Sequence, residues 1–302
     1  MKRIKHILLI MMLLFAGHDI AVAQVEEYNT AFRFVEAGNW DSAKVHIDRF
    51  VLSREGEKDA EGWYLRGYVY ARLYKKYEIS DHYSKYRAEA VNSARKSIGI
   101  DPSQKNVAGN RPVFCSLAAG FYNSAVQTLD TANFKTAIDN YNWYKNIVVN
   151  CDSSVNTAQK DVDFYLALGT VFQDRLDSCH CDDSLAFVRA RDAYMKVLNI
   201  DPKNIKANYD LGILYHNHAV HLIMSLTGDE DLSVIIARQD KADKNFKSAL
   251  PFGEFGLQLP DSYPKKIDYL TLLFEIYRGL SETDKMNKVQ QQIDELKKKS
   301  GG

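Results

Sequence analysis

His216-x-His218-x-x-His221 brings three imidazoles within six residues. His218 and His221 are three apart and share a helical face, so two rings could meet one metal ion. His216 points roughly the opposite way from His218, and no Glu stands between the histidines as in a zinc-hydrolase helix. The run therefore reads as polar, interfacial histidines on a long helix. Cys179-His180-Cys181-Asp182-Asp183 is a second cluster of ligand types. A lone C-x-C lacks the second pair of a structural zinc site, and in an exported chain disulfide chemistry competes. Asp229-Glu230-Asp231 lacks the spacing of a calcium loop and, with Asp182-Asp183, reads as solvated helix caps. No G-x-x-x-x-G-K, G-x-G-x-x-G or G-x-S-x-G occurs. Nor is there a Cys-His-acid arrangement with a glycine-bearing oxyanion loop. The expectation is a non-enzyme with no cofactor and no metal, acting by binding.

The elements that must position a binding surface follow from composition. With 39 basic and 39 acidic residues, the chain has no global reason to seek nucleic acid or an anionic membrane. Six prolines and 16 glycines in 302 residues favour helices over strands and turns. At the start, Lys2, Arg3 and Lys5 precede the apolar run Ile7 to Phe15, and Ala21-Val22-Ala23 supplies a small-x-small cleavage pattern. The run is too short for a membrane span, which needs about 18–20 apolar residues, and Gly17, His18 and Asp19 interrupt it. Residues 1–23 are expected to be an export signal. Their removal takes three basic residues and one acidic residue, leaving 36 against 38 in a periplasmic or secreted chain. No integral membrane segment is expected after cleavage.

Beyond the signal, a helical pattern recurs. Tyr165-x-x-Leu168-Gly169-x-x-Phe172 is followed by Ala190, Tyr194, Val197 and Pro202. Each set lies on one face of a helix, and Asp201-Pro202 ends the second. Trp63, Gly67 and Tyr70, then Ala90, Ala94, Ser97 and Pro102, repeat the phase. Asn208-x-x-Leu211-Gly212-x-x-Tyr215 opens a third copy, whose second helix would end at Pro260. Gly38-Asn39-Trp40 and Ala132-Asn133-Phe134 mark the turns of two weaker copies, and Tyr269-x-x-Leu272-Leu273 starts a last one.

This pattern resembles the tetratricopeptide repeat (TPR), W-x-x-L-G-x-x-Y, then A-x-x-x-F, then P. The resemblance implies an all-α, right-handed solenoid of about six antiparallel helix pairs over residues 24–298, with 299–302 a disordered tail. The spacings depart from the compact 34-residue unit. Gly67 to Ala90 is 23 positions, and Gly212 to Ser248 is 36. Residues 71–87 and 217–247 are mostly good helix formers, so lengthened helices are expected. The longest turn is placed at Thr227-Gly228-Asp229-Glu230, and Pro251 should kink or break the returning helix.

The resemblance also implies a concave face lined by the first helix of each pair. In this phase the face reads Tyr28, Tyr64, Tyr122, Leu166, Tyr209 and Leu270. One turn on come Phe32, Tyr68, Val126, Thr170, Ile213 and Phe274, then Arg72, Gln173, Asp174, His216, Tyr277 and Arg278. Tyrosine suits a peptide groove, offering rigid contact area and a hydroxyl. Such rings equally well pack between units as core, and the residues alone leave both readings open. Tyr and Leu stand where the family's carboxylate-clamp subtype carries Lys and Asn or Arg, so that mode of recognition is not supported. The expected function is a protein-interaction scaffold holding a peptide or helix. The alternative is a glycan-binding accessory resembling the SusD family, although that family is much longer and lipid-anchored. A hydrolase on a helical scaffold is a third class, without a recognisable nucleophile. In the repeat layout Cys115 lies near the start of the third pair and Cys151 after its end, so these two ends are adjacent. Cys179 and Cys181 sit in the next turn, roughly 25 Å away. The expected bridge is Cys115–Cys151, with Cys179 and Cys181 joined locally or metal-bound.

Overall fold

The computed structural model describes residues 26–102, 110–179, 183–227 and 229–300, so residues 1–23, read from the sequence as an export signal, and His180, Cys181, Asp182 and Gly228 lie outside the described residues. Among the described residues the fold is all-α, with no strand. Consecutive helices pair through short turns: α1 (26–36) with α2 (Trp40–Val51), and α3 (Ala60–Leu73) with α4 (Lys85–Ile100). In the third pair, α5 (Asn110–Cys115) and α6 (Ala118–Gln127) together face α7 (Phe134–Cys151). Then α8 (Ala158–Cys179) pairs with α9 (Ser184–Ile200), α10 (Ile205–Met224) with α11 (Leu232–Glu254), and α12 (Lys266–Gly279) with α13 (Thr283–Ser300). Contacts divide the chain into two compact units, residues 26–128 with 135–155 and residues 129–134 with 156–300. No described helix is long and apolar enough to cross a membrane.

Local chemistry sets where these helices start and stop. Asn39, Asp59, Ser84, Asp183 and Asn204 each accept a backbone N–H of the first turn they precede, filling donors that the helix itself leaves unpaired. Gly38 takes φ +70°, a left-handed step that turns the chain into α2 at no steric cost. At the other ends, α4 and α9 stop at Ile100 and Ile200, where Asp101-Pro102 and Asp201-Pro202 deny the next turn its hydrogen bond.

Within each unit, small residues let neighbouring helices approach. In the second unit a Cβ on Gly169 would lie 2.4 Å from the Tyr194 ring, and one on Gly212 would lie 2.8 Å from Leu272. Leu168 and Leu211 are buried beside them, so the Leu-Gly steps face the core. In the first unit, Tyr70, Tyr74, Val91, Phe114, Leu117, Phe121 and Ile147 form a cluster that joins the second and third pairs. Each fully buried large side chain of this kind contributes about 1.5–3 kcal/mol. The Cys115–Cys151 disulfide ties the end of α5 to the end of α7, with Cα atoms 5.8 Å apart. Cys179 is the last residue of α8, and its side chain lies outside the described residues.

Three expectations need correction, and one break falls where the sequence pattern predicts nothing. Residues 71–87 do not lengthen both helices of their pair. α3 passes into one wide turn of π-helix, Tyr74–Glu78, and the Asp81 side chain then caps Tyr83 N–H in a loop that ends at the Ser84 cap. The third pair's first helix is broken at Ser116-Leu117, where the Ser116 hydroxyl donates back to Val113 C=O and Leu117 turns into the core. Of the kink or break expected at Pro251, a break on the spot does not occur. The helix runs one more turn to Glu254 and tightens into a 3₁₀ turn, Phe255–Gln258, just before Pro260. Finally, Lys299 and Ser300 belong to α13 rather than to a disordered tail, because Val289, Ile293 and Leu296 bury that helix against Leu270, Leu273 and Tyr277.

Candidate functional site: the aromatic face

In the first unit, Tyr64, Tyr68 and Arg72 stand four residues apart on α3 and so form one row along the helix. The Arg72 Nη2 donates to the Tyr68 hydroxyl at 2.7 Å. Its guanidinium lies 4.9 Å from the Tyr68 ring centre and 5.6 Å from that of Trp40. Trp40, the first residue of α2, meets Tyr68 edge-on at 5.9 Å. One turn further, Lys76 and Tyr77 both bond Asp41, at 3.1 and 2.8 Å. Phe32 on α1 is 45% exposed. Tyr28 is half-buried, with its ring 5.3 Å from Phe50. Burial, then Glu61, Asp59 and Tyr64, raise the Tyr28 hydroxyl above the ordinary tyrosine range, and burial with Tyr68 does the same for Tyr64. These hydroxyls therefore stay neutral donors at physiological pH. Tyr122 on α6 is half-buried with its ring 5.0 Å from Tyr144, and Val126 is exposed.

The corresponding series in the second unit is taken up by packing. Leu166 covers the Val162, Val197 and Ala207 cluster. Tyr209 lies 4.9 Å from the Tyr269 ring, and Ile213 packs with it against Leu272. Leu270 and Tyr277 are buried, and the Tyr277 hydroxyl donates to Glu254 at 2.9 Å; both are core rather than partner-facing, because α13 covers that side of α12. Phe274 is partly buried in the same cluster. Gln173 accepts the Tyr194 hydroxyl at 2.8 Å, and Arg278 pairs with Glu275. Thr170 bonds back to Leu166 C=O, while Asp174 is exposed.

The histidine run divides in the same way. His218 stacks on Phe187 with ring centres 4.4 Å apart, and His216 tilts against Phe246 at 5.7 Å. His218 and His221 border a cavity of about 370 Å³ between α8 and α10, floored by Leu176 and Leu214. Among the described residues no three His, Cys, Asp or Glu side chains are grouped to hold a metal ion.

The rings that remain reachable thus concentrate in the first unit. Trp40 and Tyr77 join that face without having been read as part of it. In the sequence pattern Trp40 marks only a turn, and Tyr77 falls in the wide turn that shifts the helical phase. The fold is TPR-like, since its Leu-Gly steps, close helix contacts and Asp-Pro ends fall where that repeat places them. No family model matches the chain, and no curated protein matches it. Among solved structures it is similar to a TPR repeats protein from Bacteroides fragilis, at 17% identity over 90% of this chain and 98% of that one, with a TM-score of 0.36. It is similar also to PilW, a type IV pilus biogenesis factor, at 14% identity over 90% and 92% of the two chains and a TM-score of 0.28. A third is the TPR2AB-domain:pHSP90 complex of yeast Sti1, at 12% identity over 92% and 99% and a TM-score of 0.21. At these TM-scores the likeness carries no residue-by-residue correspondence.

Proposed function

We propose that this chain is a non-enzymatic protein-interaction scaffold, and that a peptide or helix of its partner lies on the aromatic face of the first unit. The observation that carries this reading is the row Tyr64, Tyr68 and Arg72 with Trp40 beside it. Tyr, Trp and Arg are the types that concentrate binding energy at protein interfaces. Trp40, Tyr64 and Tyr68 are all half-buried, and the contacts among Trp40, Tyr68 and Arg72 order that part of the face in advance of binding. The test is quantitative capture from a cell-envelope extract by immobilised protein, comparing the wild type with Tyr64→Ala plus Tyr68→Ala. A specific partner retained by the wild type and lost at least about tenfold by the variant, with helix content unchanged, is expected. Equal capture by both proteins would remove the aromatic face from the function.

Residues 1–23 are proposed to direct export and to be cleaved, leaving a mature chain that begins at Gln24. The signal pattern supports this, as does the Cys115–Cys151 bridge, a bond that persists in oxidising compartments. Intact mass of the mature protein, before and after reduction, tests both points. A retained Met1 or two free thiols at positions 115 and 151 would count against export.

A further inference from the structure

Among the described residues, the first unit contains a buried cation with no carboxylate partner. Arg87 on α4 is 2% exposed. Its Nη1 donates to Gly120 C=O at 2.7 Å and to the Ser124 hydroxyl at 2.8 Å. Its Nη2 donates to His82 C=O and to Asn140 Oδ1, both at 3.0 Å, and its Nε has no partner. All four acceptors are neutral. The Phe121 ring lies 4.3 Å from the guanidinium. Asp81, the acid whose field reaches Arg87, is exposed and occupied with the Tyr83 N–H. Arg66, on the neighbouring helix, shows the ordinary arrangement for a part-buried arginine, paired with Asp48 at 2.8 Å and Glu89 at 2.9 Å. Burial pulls the Arg87 pKa below the usual arginine range, as expected of a cation lacking a counter-charge.

Beside this guanidinium lies a cavity of about 590 Å³, between the 74–82 segment and α6. Tyr74, His82, Gly120 and Ser124 belong both to its wall and to the shell around Arg87. The remaining polar wall is made of Lys75, Ser80, Ser116, Asn123 and Gln127, and among the described residues no acidic one lines it. A Cβ at Gly120 would come within 2.6 Å of the Tyr74 hydroxyl and 3.5 Å of Arg87 Nη1, so glycine keeps this wall open.

We propose that this cavity binds a small oxyanion, such as sulfate, phosphate or a carboxylate, whose charge compensates Arg87. Lys75 and the side-chain amides supply direct donors. Ser124 accepts from Arg87 and lies 3.5 Å from His82 Nδ1, and both residues line the cavity, so the relay from the guanidinium to the anion runs through this polarised wall. Arg87 acts through this relay as a positioning residue rather than as a direct ligand.

The test is thermal unfolding of the disulfide-intact protein in sulfate, phosphate, succinate or chloride at matched ionic strength. Inorganic and organic oxyanions are thereby separated. At saturating anion, the melting temperature is expected to rise by roughly 5 °C over chloride. Lys75→Gln should halve the rise or more. Asn123→Asp puts a fixed carboxylate into the cavity and should raise the melting temperature in chloride while abolishing the response to added anion. Both substitutions are at exposed positions and leave the core intact. No difference between oxyanions and chloride in the wild type, or an equal response in both variants, would overturn the proposal.

Discussion

At the scale of single residues, the close contacts decide which substitutions matter. Gly169→Ala would gain about 1 kcal/mol of helix propensity, yet its methyl carbon falls 2.4–2.7 Å from three atoms of the fully buried Tyr194 ring. Overpacking of that severity costs about 3 kcal/mol, so a net loss of about 2 kcal/mol is expected in urea unfolding. Gly99→Ala, with nothing near its Cβ, should be neutral or stabilising by up to about 1 kcal/mol. Asp210 gives a pH-dependent case. It is 8% exposed, and burial raises its pKa above the ordinary 3.8 despite Lys206 at 2.8 Å. The sign follows from protonation: its contribution to stability is fully present below 3.8 and is lost as pH rises through the higher folded value. Asp210→Asn is therefore expected to be at least as stable as the wild type at pH 7, with the gap closing toward pH 4. A variant that weakens steadily relative to wild type as pH rises would refute this. At this scale the Leu-Gly steps were legible because only a residue without a side chain fits such contacts. Tyr277 was misplaced because the helical period of α12 cannot reveal that α13 lies across that side.

At the scale of elements, helix ends were more legible than helix interiors. Asp-Pro steps and Asn, Asp or Ser caps act through local hydrogen bonds, so position in the sequence fixes them. The break at Ser116-Leu117 and the wide turn Tyr74–Glu78 are different. Neither contains a strong helix breaker, and both are imposed by the cluster of Tyr74, Phe114, Leu117 and Phe121 around them. The third pair consequently has the shortest first-helix segments, six and ten residues, against 22 in α8. Helices this short are marginal without tertiary support, and the Cys115–Cys151 bridge closes a span of 36 residues that starts at the last residue of α5 and contains α6. Replacing both cysteines by serine is expected to cost about 3–4 kcal/mol on the chain-entropy account. Hydrogen exchange should show the loss first in α5 and α6. Protection that falls equally in α10 to α13 would contradict a local role for the bond.

At the scale of the whole molecule, the 36 basic and 38 acidic residues that remain beyond residue 23 leave little net repulsion between copies. Light scattering at low salt should therefore find the weakest repulsion near neutral pH, rising on either side; a steady trend across neutrality would mean that the surface charge is not balanced. The disulfide also bears on how the protein is obtained. A reducing cytosol in an expression host would yield material with the third helix pair unclasped, while the caps and close contacts of α8 to α13 stayed intact. Such a preparation would pass a test of overall helicity and still present Gly120, Ser124 and Tyr122 in a loosened setting. Binding assays are thus meaningful only on protein folded under oxidising conditions, and a batch-to-batch spread in affinity would trace to the thiol content of the sample.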